Sequence, residues 1–159
     1  MFTIKQPSQI IFGENSAREF HFPERPLVIS SKGCKSRNWL KYLELRDPIL
    51  FDCVESNPSM ETVNSIISKF SKSEFDYIIG LGGGSSLDVA KFVAAKLNKK
   101  KILIPTTFGS GSDVTRISVL KVDGKKQSFH DDSFFADVSI VDSDFLSNTP
   151  EQIKKNSAI

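Results

Sequence analysis

Three glycines followed by two serines, Gly82-Gly83-Gly84-Ser85-Ser86, are the residues in this chain whose types and spacing best suit chemistry. Glycine has no Cβ, so the backbone can approach a ligand closely there. A helix that starts at such a turn offers unpaired N–H groups and the positive end of its dipole. That combination binds phosphate. Ser85 and Ser86 add hydroxyl donors and can cap the helix. The competing reading of the same residues is a turn needed only for tight strand-to-helix packing. Two known phosphate motifs fail: Ser85 stands where the standard dinucleotide fingerprint takes its third Gly, and the lysines of residues 99–101 lie where its acidic residue belongs. Lys91 is neither preceded by Gly nor followed by Ser or Thr, which excludes the P-loop. A second polar loop, residues 106–112, carries hydroxyls on Thr106, Thr107, Ser110 and Ser112 that suit ribose or phosphate oxygens or, equally, an ordinary Ser/Thr turn.

The elements that must position these loops alternate in period. Residues 9–12, 26–30, 49–53, 77–81, 102–104 and 138–141 read as short strands. Residues 39–45 and 60–70 read as helices, and a third starts after the glycines, with Leu87, Ala90, Val93, Ala94 and Leu97 on one face. Residues 117–122 and 127–129 flank Asp123-Gly124, a hairpin signal. Residues 31–36 read as a loop, the lysine run 99–101 as a solvated loop, and Thr149-Pro150-Glu151 as the cap and first turn of a last helix. Strands alternating with helices predict an α/β domain, doubly wound around a mostly parallel sheet, with a small hairpin. Open sheets of this kind bind ligands beyond the carboxyl ends of their strands, where both polar loops must lie.

Composition narrows the class. The 159 residues are 39% hydrophobic and 25% charged, which fits one globular domain and excludes a disordered or collagen-like chain. The 21 basic and 19 acidic residues leave +2, too little and too scattered for a nucleic-acid footprint. No apolar run approaches membrane-spanning length and no signal peptide opens the chain, so a cytoplasmic location is expected. Cys34 and Cys53 form no CxxC and read as reduced thiols. His21 reads as a surface residue, and His130, beside Asp131 and Asp132, as part of a solvated hairpin.

The order Asn57-Pro58, then Gly82-Gly83-Gly84-Ser85 with Asp88 and Ala90-Lys91, then Pro105-Thr106-Thr107 with Gly109, Gly111-Ser112 and Val114-Thr115, resembles the N-terminal domain of the iron-containing (group III) alcohol dehydrogenases. The resemblance covers nearly the whole chain. It implies a Rossmann-like, dehydroquinate-synthase-like dinucleotide domain spanning residues 1–159 and a cofactor that is NADP or NAD. By position, Gly82, Gly83, Gly84, Ser85, Asp88, Thr106, Thr107 and Ser110 become cofactor contacts. Asn57 falls near the ribose next to the nicotinamide, and Lys125 or Lys126 near a lysine that reaches the cofactor. It also implies that the catalytic metal, iron or zinc, belongs to a helical C-terminal domain whose first ligand would follow Ile159, so the chain alone is expected to be inactive and to carry neither catalytic residues nor a metal.

Ser31 stands where many NAD-preferring members have an Asp that holds both ribose hydroxyls. A carboxylate there would repel a 2′-phosphate, whereas serine with Lys32, Lys35 or Arg37 nearby could bind one, so NADP is favoured over NAD. Alternatively Ser31 only caps its turn. The expected partner is the dinucleotide, with neither nucleic acid nor membrane, and with self-association through apolar surface left open at the truncated edge. A nucleotide-binding module without catalysis, or part of a polyol-phosphate dehydrogenase or a dehydroquinate-synthase-like enzyme, are the alternatives.

Overall fold

A computed structural model describes residues 1–147 together with Glu151 and Lys155. In chain order the elements are β1 (Gln9–Gly13), α1 (Ser16–Glu19), β2 (Pro26–Ser30), α2 (Gly33–Ser36), α3 (Trp39–Leu43), β3 (Ile49–Phe51) and α4 (Met60–Phe70). There follow β4 (Tyr77–Gly82), α5 (Gly84–Leu97), β5 (Lys100–Pro105), β6 (Ile117–Val122), β7 (Lys125–His130), β8 (Val138–Asp142) and α6 (Ser143–Ser147). Six strands form one sheet in the order β1-β8-β5-β4-β2-β3, and each neighbouring pair is parallel. β6 and β7 make a separate antiparallel hairpin. The α/β, mostly parallel architecture with a hairpin is the one the alternation predicts.

Side chains alternate across each central strand, and both faces are covered, as a parallel sheet requires. Leu27, Ile29, Ile78 and Leu103 pack on Val63, Ile66 and Phe70 of α4 and Leu87 and Val93 of α5. Val28, Ile79, Leu81, Ile102 and Ile104 form the other core with Ala17, Trp39, Leu43 and Phe145. α4 forms where expected because Ser59 caps it, accepting from the Thr62 N–H at 3.3 Å, and its apolar positions recur at helical spacing. The Asp123-Gly124 turn has positive φ at both residues, 50° and 76°, the backbone of a tight hairpin.

Three expectations need correction. Residues 31–36 contain the short helix α2. The lysine run is not a solvated loop: Lys100 and Lys101 belong to β5, and Lys101 is buried with its ammonium 3.9 Å from Asp137. α5 is not buried on one face only, since every residue from Ser86 to Ala94 is buried because the hairpin covers the side away from the sheet. The helix expected from Pro150 falls largely outside the described residues. No helix among the described residues is long and apolar enough to cross a membrane.

Gly80 sets how closely α5 lies on the sheet. A Cβ there would stand 2.7 Å from the Ala90 Cβ and 2.8 Å from Leu103 Cδ2, which no side-chain rotation relieves on the alanine side. Gly80→Ala is therefore expected to destabilise the fold by about 1–3 kcal/mol through overpacking, read as a lower urea midpoint with an unchanged slope.

Candidate functional site

The chain runs from β2 outward to β3 and then returns across β2 to β4, so the winding direction reverses between β2 and β4. Ligands of open α/β sheets lie beyond the strand ends at such a reversal. Ser31 leaves β2 there, the glycine turn leaves β4, and Thr106 leaves β5, on three adjacent parallel strands.

The glycine turn is built around close approach. Gly82 has φ +148°, and a Cβ on it would lie 2.8 Å from Ser86 Oγ. A Cβ on Gly83 would meet Thr107 Oγ1 at 3.1 Å, and one on Gly84 would meet Ser110 Cβ at 3.0 Å. The two polar loops thus fold against each other, tied by the Thr106 N–H donating to the Gly82 carbonyl at 2.9 Å. Gly83 is the N-cap of the 14-residue helix α5 and has no side chain to cap it. The strand-to-helix packing role falls to Gly80, two residues earlier, while Gly82, Gly83 and Gly84 serve the junction between loops. Five expected residues, Gly82, Gly83, Gly84, Thr107 and Ser110, are brought together here.

Asp88 lies at the helix's second turn and is committed to the protein. Its Oδ1 accepts from Ser112 Oγ at 2.5 Å and pairs with Lys91 Nζ at 3.1 Å, and its Oδ2 accepts from the Val119 N–H at 3.1 Å. Its backbone carbonyl accepts from Ser118 Oγ at 3.0 Å. Lys91 is fully buried and also donates to the carbonyls of Ser112, at 2.9 Å, and Ile117. Burial draws the Lys91 ammonium below its ordinary pKa, while Asp88 opposes that shift. Together they pin the second polar loop and the hairpin to the glycine helix. The resemblance implies a cofactor contact for Asp88; the structure shows its carboxylate holding the walls of the cleft in register while the residue also lines that cleft.

Those walls enclose about 210 Å³ lined by Asn57, Gly84, Ser85, Asp88, Lys121 and Lys126, among others. Asn57 sits in a turn with φ +53°. Glu55 clamps that turn, accepting from the Ser59 N–H at 3.0 Å and from Thr62 Oγ1 at 2.7 Å. The Lys121 N–H donates to the Pro58 carbonyl at 2.8 Å, which joins the turn to the hairpin. Lys121 is a residue that sequence reasoning passed over. The two-residue Asp123-Gly124 turn sets Lys121 opposite Lys126, a register available from the sequence once the second strand starts at Lys125.

Ser31 is half-buried one strand away from this cleft, its carbonyl accepting from the Cys34 N–H at 3.1 Å to open α2. Of the three cations near it, Lys35 is paired with Asp52 at 2.7 Å, and Arg37 lies over the Trp39 ring at 5.1 Å from its centroid. Lys32 is exposed. Cys34 and Cys53 are free thiols, and burial pushes the Cys34 thiol up. His21 and His130 are exposed, and among the described residues no three His, Cys, Asp or Glu side chains gather as a metal site.

The chain matches the family model for iron-containing alcohol dehydrogenase over residues 7–143. It is 36% identical over 127 residues to long-chain-alcohol dehydrogenase 1 of Geobacillus thermodenitrificans, covering 67% of this chain and 32% of that protein. Against the 4-hydroxybutyrate dehydrogenase of Clostridium kluyveri it is 31% identical over 120 residues, 64% of this chain and 32% of that one. The crystal structure of an iron-containing alcohol dehydrogenase from Thermotoga maritima superimposes with a TM-score of 0.85 at 25% identity, over 99% of this chain and 52% of that chain. The chain belongs to the iron-containing alcohol dehydrogenase family. It spans between a third and about half the length of these relatives.

The Asp88–Lys91 pair yields a direct test. Asp88→Ala leaves the Lys91 ammonium buried without its counter-charge and is expected to cost about 3–5 kcal/mol. Asp88→Ala combined with Lys91→Met should cost less than the sum of the two single changes in urea unfolding.

Proposed function

We propose that this chain binds a nicotinamide dinucleotide and supplies the cofactor half of a metal-dependent alcohol dehydrogenase or aldehyde reductase. The observation that carries the reading is the glycine turn: three Cβ-free positions pressed against Ser86, Thr107 and Ser110 at the start of α5, where the sheet reverses its winding. A pyrophosphate there would receive backbone N–H donors at the positive end of a 14-residue helix, with the hydroxyls of Ser85, Thr107 and Ser110 around it. Thr106, tethered to Gly82 through its backbone, keeps the second loop within reach of the adenosine side. Asn57 and Lys126 line the cleft on the other side of Gly84 and would receive the ribose next to the nicotinamide. The bound nicotinamide would supply or accept the hydride. The work of the chain's own residues is to place it.

NADP is the favoured form. The residue that follows β2 is Ser31 rather than a carboxylate, so nothing at that position repels a 2′-phosphate, and Lys32 and Arg37 lie in the same segment without a carboxylate partner among the described contacts.

Fluorescence of the single tryptophan, Trp39, reports on this corner because Arg37 covers its ring. Titration should show saturable binding with NADPH several-fold tighter than NADH. Ser31→Asp should reverse that order, and Gly84→Val should abolish both by filling the space that Ser110 borders. Failure of either dinucleotide to bind the intact chain would sink the reading.

A further inference from the structure

The last turns of α5 and the end of β7 bound a second cavity of about 330 Å³, which shares no lining residue with the cleft at the glycine turn. Its floor is aromatic. Phe92 meets Phe129 edge-on with ring centroids 5.1 Å apart, and meets Phe134 at 5.2 Å. Ala95, one turn beyond Phe92 and half-buried at the same wall, is too small to fill the space beside these rings. Ligand pockets run from roughly 300 to 1,000 Å³, so this one admits a molecule with a single ring or a branched alkyl group and excludes a dinucleotide.

The two walls carry opposite charges that do not meet. Lys96 stands on the helix and Asp131 follows β7; both line the cavity, and neither forms an ion pair among the described residues. Lys96 is exposed, with Nζ 5.8 Å from the centroid of the Phe92 ring. The dipole of α5 favours a cation in its last turn but uses none of the three ammonium N–H donors. The Asp131 carboxylate accepts from the Ser133 N–H at 2.8 Å, which occupies one of its about four lone-pair positions. Arg116 and Lys5, the cations on that side, are both paired with Asp132.

We propose that this cavity binds a free α-amino acid with an apolar side chain. The side chain lies on the phenylalanine rings, the carboxylate takes donors from Lys96, and the ammonium donates to Asp131. A ring seated on Phe92 and Phe129 gains edge contacts beyond its area burial, and each charged end of the ligand answers a charge that the protein leaves open. A ligand with only one charge answers only one wall. The site lies outside the dinucleotide cleft, so it stands or falls separately from the function proposed above. An occupant joins α5 to the hairpin, the same two elements that Asp88 and Lys91 hold in register, and therefore stabilises the folded chain by mass action.

The test titrates the 159-residue chain with L-phenylalanine, 3-phenylpropanoate and 2-phenylethylamine, followed by amide NMR shifts and by the thermal midpoint. L-Phenylalanine should give saturable shifts at residues 92–96 and 129–134, leave residues 82–86 unmoved and raise the midpoint. The two analogues, each missing one charge, should bind about fivefold more weakly, the worth of one exposed ion pair. Lys96→Gln and Asp131→Asn should each weaken L-phenylalanine by a similar factor and leave NADPH affinity unchanged. Both variants keep the fold, since Lys96 is exposed and Asn retains an acceptor for the Ser133 N–H. Shifts that fail to saturate up to the solubility limit overturn the proposal, as do equal affinities for all three probes or undiminished binding in both variants. Shifts at the same residues that follow protein concentration without any probe also overturn it, by assigning the cavity to a second copy of the chain.

Discussion

The arrangement of the cleft depends on one buried ion pair. Asp88 and Lys91 are one helical turn apart on α5 and 3.1 Å from each other, Lys91 fully buried and Asp88 buried at the wall of the cleft. Taking two charges out of water costs several kcal/mol per ion, and their mutual attraction about repays it, so the pair is a poor source of net stability. Its effect is on position. Through Ser112 it fixes the second polar loop, through Ile117 and Val119 it fixes the start of β6, and the Ser118 hydroxyl adds a contact to the helix backbone. A hydrophobic contact would tolerate sliding of the hairpin along the helix. A set of buried polar groups with fixed partners does not, because each slipped register leaves a donor or acceptor unsatisfied.

Close approach is the second constraint, and the glycines divide it between them. Gly80 lets α5 settle on β4, while Gly82, Gly83 and Gly84 let the two loops meet above the strand ends. A side chain at Gly80 would push on Ala90 and Leu103 in the core; one at Gly84 would push on Ser110 at the surface of the candidate site. The first is a matter of folding and the second of binding, although the residues are four apart and of one type. Both are needed, since the ion pair can register the loops only if the helix lies near enough to reach them.

Much of this was legible from the sequence. β2 and α4 fall at the expected boundaries because each is an apolar pattern between clear punctuation, Arg25 and Ser31 for one and Ser59 and Ser71 for the other. The glycine turn was identified from residue type alone. The misses share a physical cause, which is that local pattern does not reveal distant cover. Lys101 reads as solvent-facing, yet a lysine can bury its stem in a strand and keep its ammonium near Asp137. α5 reads as amphipathic because its second cover, the hairpin, begins twenty residues after it ends. α1, α2 and α6 span four or five residues each, too few for any period to show. Starting the second hairpin strand at Gln127 rather than Lys125 hid the register that sets Lys121 against Lys126.

The three lysines near the cleft show how the same cation serves different ends according to what surrounds it. Lys91 is buried, and its charge is answered within the protein by a carboxylate and two carbonyls, so it has nothing left to offer a ligand. Lys121 is half-buried and Lys126 exposed, so both reach water, which makes an unanswered charge cheap and leaves the ammonium donors available for exchange. An internal carboxylate between them would have stabilised the hairpin and closed the cleft to anions. The chain instead commits Asp88 inward, and among the described residues no carboxylate pairs with either of the two lysines outside it. The repulsion that results is small because water screens the two ammonium groups, so the hairpin tolerates a pair that the core could not, where every charge needs a fixed partner as Lys91 does.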